Sequence, residues 1–147
     1  MSTLQKVQTW LIALRAERKR VGVWLLSSRD LRANLASSLA AELGLTHIDL
    51  IGELLPKLND ASPKPLGVFT ADDLIAWLHN EAYDSPSPII VEGIESLLAT
   101  FPKPRAQEFF RLAAELSVRS PVVLATYLVP LVQASGFPLD RTLSLME

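Results

Sequence analysis

Leu4, Val7, Leu11 and Leu14 recur at intervals of three and four residues and define one apolar face of a helix. Ser2 and Thr3 stand ahead of it as N-cap candidates, and Trp10 and Ile12 broaden or flank the face. The segment closes on Arg15, Arg18, Lys19 and Arg20, cations that suit the negative end of a helix dipole. The pattern then changes. Val21-Gly22-Val23-Trp24-Leu25-Leu26 is continuously apolar and rich in β-branched and aromatic residues, as in a strand covered on both faces of a parallel sheet. Beyond the polar stretch Ser27-Ser28-Arg29-Asp30, helical spacing returns through Leu31, Leu35, Leu39 and Leu43, with Gly44 where a left-handed C-cap belongs. Strand, polar loop and helix in this order are half of a βαβ unit.

The alternation continues down the chain. Thr46 to Ile51 reads as a short strand, Glu53 to Leu58 as a short helix, and Asn59 to Gly67, with Pro63 and Pro65, as a loop. Thr70 followed by Asp72 and Asp73 predicts a helix start, with Leu74, Trp77 and Leu78 on the inner face and Tyr83 to Pro88 ending it. Ile89-Ile90-Val91 predicts a third strand that finishes at Glu92-Gly93-Ile94-Glu95, and a helix or turn carries Leu97 and Leu98. After Pro102 and Pro104 a longer helix runs to about Val118, burying Phe109, Leu112, Ala113 and Leu116. Val122 to Thr126 predicts the fourth strand, Leu128 to Val132 a helical turn, and Arg141 to Leu145 an edge strand. Strands alternating with helices predict an α/β fold, a three-layer sandwich around a mainly parallel five-stranded sheet. The expected division is an amphipathic helix over 1–20 and an α/β domain over 21–147.

Composition narrows the chemistry. The 147 residues suit one domain with its own core, and the absence of cysteine excludes thiolate zinc sites, iron–sulfur clusters and thiol catalysis. A net charge of −2 gives no bulk attraction to nucleic acid. No apolar run approaches the ~20 residues of a membrane span, and the N-terminus mixes charge with apolar residues, so a cytoplasmic protein without membrane contact is expected.

In open parallel sheets, ligands sit beyond the carboxyl ends of the strands. A phosphate-binding loop there has the form Gly-x4-Gly-Lys-Ser/Thr, whose glycines let backbone amides cradle phosphates while the lysine reaches the outer charges. Counted from Ser27, those four positions hold Ser27, Arg32, Ala33 and Asn34. None matches. A helix N-terminus near Ser27 and Ser28, helped by Arg29 or Arg32, leaves at most weak ATP–Mg binding, and no cofactor is expected. Glu92 stands where a strand-end carboxylate would organise magnesium or water, or would merely pair near the sheet edge. His47 and Asp49 share a strand face without a serine to complete a triad, and His47 and His79 alone predict no metal site.

Taken together, the Trp24-Leu25-Leu26 strand, the leucine-rich helix, Val91-Glu92-Gly93-Ile94-Glu95 and Val122 to Thr126 resemble a small ASCE or AAA-like P-loop ATPase core. The order is similar to BrxF proteins of BREX phage-defence systems. The resemblance covers about residues 20–147. It implies a sheet order of 5-1-4-3-2, Glu92 at the Walker-B acid position and Thr126 at the sensor position; the Walker-A glycines and lysine have no counterpart here. Degenerate members of that superfamily act as assembly or regulatory subunits.

Three functions follow as expectations. The first is a non-hydrolytic interaction or assembly subunit, in a phage-defence complex if the resemblance holds, binding a larger protein or copies of itself. The second is an ATPase subunit completed by a neighbouring chain, with Glu92 orienting magnesium or water, Asn34 near the metal and an arginine in place of the lysine. The third is a nucleic-acid adaptor that contacts phosphates through Arg15, Arg18, Lys19 and Arg20. The missing Walker A argues against an enzyme, and no catalytic residue is assigned.

Overall fold

The computed structural model describes residues 2–50, 70–99 and 101–146. Its elements run α1 (Thr3–Arg15), β1 (Val21–Leu25), α2 (Ser28–Arg32), α3 (Leu35–Leu43), β2 (Thr46–Asp49), α4 (Ala71–Asp84), β3 (Ile89–Glu92), α5 (Ile94–Leu98), α6 (Lys103–Glu115), β4 (Val122–Thr126), α7 (Val129–Ala134), a 3₁₀ turn (Leu139–Arg141) and β5 (Thr142–Ser144). The sheet is parallel throughout, in the order β2-β3-β4-β1-β5, the strand order implied by the resemblance. β1, β3 and β4 lie inside the sheet, which is why their sequences are continuously apolar. β2 and β5 form its edges, and β2 is correspondingly mixed in burial.

Strand alternation divides the core into two layers. Val23, Leu25, Ile48, Val91 and Leu124 point to one side, where Leu74 and Leu78 of α4, Ile94 of α5, Phe109 and Phe110 of α6 and Val132 of α7 cover them. Trp24, Ile90, Val123, Ala125 and Leu143 point to the other, under Val7, Leu11 and Leu14 of α1 and Ala36, Leu39 and Ala40 of α3. The three-layer sandwich is therefore as expected, and α1 forms part of one outer layer. Trp24 is fully buried, while Trp10 and Trp77 pack at the margins of the two cores.

Local signals set most helix starts. Ser2 and Thr70 each form a reciprocal capping box, with Gln5 and Asp73, which satisfies amides that the first turn leaves unpaired. The single helix expected through Leu31 to Leu43 is two. Asn34 adopts φ 62°, a left-handed geometry that asparagine tolerates better than most residues, and this breaks the helix between α2 and α3. The leucine spacing survives because Leu31, Leu35 and Leu43 still lean on the same layer around Leu39. Two ends fall earlier than expected: α6 stops at Glu115 and β2 at Asp49. The expected helix at 53–58 and loop at 59–67 lie outside the described residues. Among the described residues, no helix is long and apolar enough to cross a membrane.

The amino ends of β1 and β5 are tied to the end of α6. Arg141, only 7% exposed, donates through Nη1 to the carbonyls of Lys19 (3.0 Å) and Val21 (3.2 Å), and through Nη2 to that of Ala114 (2.8 Å). The last bond supplies a cation to a helix terminus that has no basic residue of its own in the last turn. Beside it, Lys19 donates to the carboxylate of Glu115. This bond and the adjacent charge hold the Glu115 carboxyl below its ordinary value. A depressed carboxyl adds stability that is present above its unfolded pKa and lost as pH falls through the folded one. Replacing Lys19 with alanine should therefore move the Glu115 titration, followed by NMR, back up toward an ordinary glutamate. A midpoint that stays put would show that Lys19 is not the cause.

Candidate functional site

At the opposite end of the sheet, where the strands finish, the chain forms a cleft of about 380 Å³. Each wall follows from an element end. Ser28, Leu31 and Arg32 come from α2 just after β1; Asp49 ends β2; Glu92, Gly93 and Glu95 follow β3 into α5; Tyr127 follows β4. The parallel register explains the meeting, because Asp49 pairs with Glu92 across β2 and β3 and both side chains leave the sheet on one face. His47, two residues earlier on that face, lies within 2.8 Å of Glu92, its Nε2 donating to Oε1. Glu92, at the end of an inner strand, thus pairs with a residue of the edge strand β2. Gly93 has φ 88°, in the left-handed region, and turns the chain from β3 directly into α5.

Among the described residues, the lining brings together three carboxylates (Asp49, Glu92, Glu95), one guanidinium (Arg32) and two hydroxyls (Ser28, Tyr127). Glu95 Oε1 is buried with no hydrogen-bond partner among the described residues. An unpaired buried oxygen of this kind costs about 1–3 kcal/mol, more when it is charged.

The expected nucleotide-site residues distribute unevenly. Ser28 and Glu92 line the cleft. Ser27 is the N-cap of α2, and its Oγ accepts the Asp30 amide at 3.1 Å. Arg29 and Asn34 are exposed residues that do not line the cleft. Thr126 is fully buried, and its Oγ1 accepts the Leu128 amide at 3.1 Å, which shapes the turn after β4. Sequence reasoning misses Tyr127, whose only signal is its place one residue beyond the apolar strand β4.

The basic cluster lies at the other end of β1, five residues of strand from the cleft. Lys19 pairs with Glu115, and Arg20 donates to the carbonyls of Glu17 (3.0 Å) and Arg119 (2.7 Å). Both side chains are thus spent on holding the α1–β1 connection to the end of α6 and the turn before β4. Arg15 and Arg18 remain exposed on the surface. The two groups of candidate residues do not form one site.

No family model matches this sequence, and no curated protein is significantly similar to it. Among the described residues, no group of three or more histidine, aspartate or glutamate side chains is arranged to hold a metal ion.

Proposed function

We propose that this chain is a non-hydrolytic interaction or assembly subunit with a P-loop-like fold, whose strand-end face binds a protein partner and not a nucleotide. The observation that carries the reading is the turn after β1. Only Leu26 and Ser27 separate β1 from α2. A phosphate cradle needs successive backbone N–H groups free to converge on an anion. Here the Leu26 amide donates to the Thr126 carbonyl, the Asp30 amide to Ser27 Oγ, and the Leu31 amide to the Ser27 carbonyl. These three donors are used within the fold, and α2 follows without the glycines and lysine of a phosphate-binding loop.

Electrostatics support the same reading. Among the described residues that line this cleft, a triphosphate would meet three carboxylates, one arginine and no lysine. Like charges at close range in a partly desolvated cleft repel, and this opposes binding before any chemistry begins. The resemblance to BrxF proteins supports placing such a subunit in a phage-defence assembly.

Isothermal titration with ATP and magnesium should show no saturable binding in the micromolar range, and the chain should not hydrolyse ATP. Micromolar binding, or an ATPase activity lost on Glu92→Gln, would overturn this function and favour a nucleotide-dependent one.

A further inference from the structure

The wall of the cleft that follows β1 rests on a helix break that its own sequence disfavours. Residues 28–43 contain no glycine or proline, and Leu31, Leu35, Leu39 and Leu43 share one face, a pattern that favours a single helix. The chain forms two helices because Asn34 is left-handed, the one residue other than glycine with a positive φ among the described residues. That break forgoes the bonds by which the amides of Leu35, Ala36 and Ser37 would reach the carbonyls of Leu31, Arg32 and Ala33. The Asn34 side chain makes no capping bond in exchange. α3 is anchored by the buried Ala36, Leu39 and Ala40, whereas α2 buries none of its residues. Yet α2 supplies Ser28, Leu31 and Arg32 to the cleft.

We infer that α2 is a movable wall: residues 28–43 interconvert between the bent pair of helices and one straight helix, and the handedness of Asn34 sets whether α2 lines the cleft. With α3 held in the core, a right-handed Asn34 realigns the segment before it with the α3 axis. The tether is short, since the Leu26 amide is bonded to the Thr126 carbonyl and only Ser27 stands between Leu26 and α2. Straightening therefore uses the first turn of α2 as linker. It forms the junction bonds at the expense of bonds at the start of α2. Among those given up are the Leu31 amide to the Ser27 carbonyl and the Asp30 amide to Ser27 Oγ, each 3.1 Å. Hydrogen bonds are thus exchanged for others of the same kind, which brings the two arrangements close in free energy. Any occupant that touches Ser28, Leu31 or Arg32 in the bent state selects that state, and is so coupled to the backbone of a residue outside the cleft lining.

This device goes beyond the docking function proposed above and does not depend on what occupies the cleft, so NMR on the isotope-labelled full chain tests it without a ligand. Relaxation dispersion should show microsecond-to-millisecond exchange at the amides of residues 28–37. Asn34→Ala should shift the population about tenfold toward the straight helix, since alanine tolerates the left-handed region poorly and favours helix interiors. The Leu35 and Ser37 amides should then gain about tenfold in protection from hydrogen exchange. A nuclear Overhauser contact between the Leu31 α-proton and the Leu35 amide should appear with it. Asn34→Gly should do the reverse and quench the dispersion, because glycine accepts a positive φ and disfavours a helix interior. The parent chain and Asn34→Gly keep the test decisive even if the alanine chain does not fold. A parent chain without exchange over residues 28–37, dispersion undiminished in Asn34→Gly, or a folded Asn34→Ala chain whose Leu35 and Ser37 amides exchange as fast as in the parent would overturn the inference.

Discussion

Replacing Arg141 with methionine is expected to lower stability by about 3 kcal/mol and the Tm by roughly 9 °C. Methionine keeps an unbranched apolar stem but removes every donor. The carbonyls of Lys19, Val21 and Ala114 then lose charge-assisted bonds where water replaces them poorly. The guanidinium also sits 5.5 Å from the Phe137 ring centroid, a contact that the neutral side chain does not reproduce. Arg141→Lys should recover less than half of the loss, because one ammonium cannot reproduce a fork that reaches three carbonyls in different directions. Urea denaturation of the three proteins measures the differences. A methionine variant within 1 kcal/mol of the parent chain, on the ~1 kcal/mol scale of a single neutral hydrogen bond, would contradict this role.

The second large effect is expected at Gly22, in the middle of the apolar run that forms β1. A β-carbon there would stand 2.4 Å from Cη2 and 2.7 Å from Cζ2 of Trp10, and 3.1 Å from the Arg141 carbonyl oxygen. Gly22→Ala must displace an indole packed on α1 and should cost about 2 kcal/mol, as overpacking usually does. The Trp10–Trp24 contact, with ring centroids 6.5 Å apart, should be disturbed with it and report the change in tryptophan fluorescence. In a Trp10→Ala background most of that cost should disappear, leaving only the 3.1 Å approach to the Arg141 carbonyl, set against the entropic cost of glycine inside a strand. A substitution equally harmful with and without Trp10 would show that the contact is not the cause.

These two positions mark where sequence reasoning stops. Gly22 fits an apolar strand pattern without comment, and nothing in the local pattern shows that an indole from α1 fills the space over it. Local alternation places Arg141 at the start of a polar-and-apolar edge strand. Its burial depends on bringing the α6 terminus and the α1–β1 connection together, which are distant in the chain. The break at Asn34 was also missed. Periodicity registers which face the leucines share, and α2 and α3 place theirs on the same layer, so one helix and two give nearly the same pattern.

The candidate site was half legible. Its location beyond the strand ends follows from the α/β alternation, and Ser28 and Glu92 were placed there in advance. Asp49 and Tyr127 enter it only through parallel register and the turn after β4, while Thr126, a candidate by position, is buried. Likewise, the run from Arg15 to Arg20 looks like one basic patch when read as letters. In space Lys19 and Arg20 turn inward to hold acceptors contributed by later elements.

By itself the sequence determined the strands, most helix starts, the two-layered burial of the sheet and the lack of a phosphate-loop signature, all of which depend on neighbours a few residues away. Tertiary structure alone decided which charges are spent and which face a cleft. An ion pair or an orphan carboxylate is a property of groups that the fold brings within about 3 Å, and no local spacing encodes who those partners are.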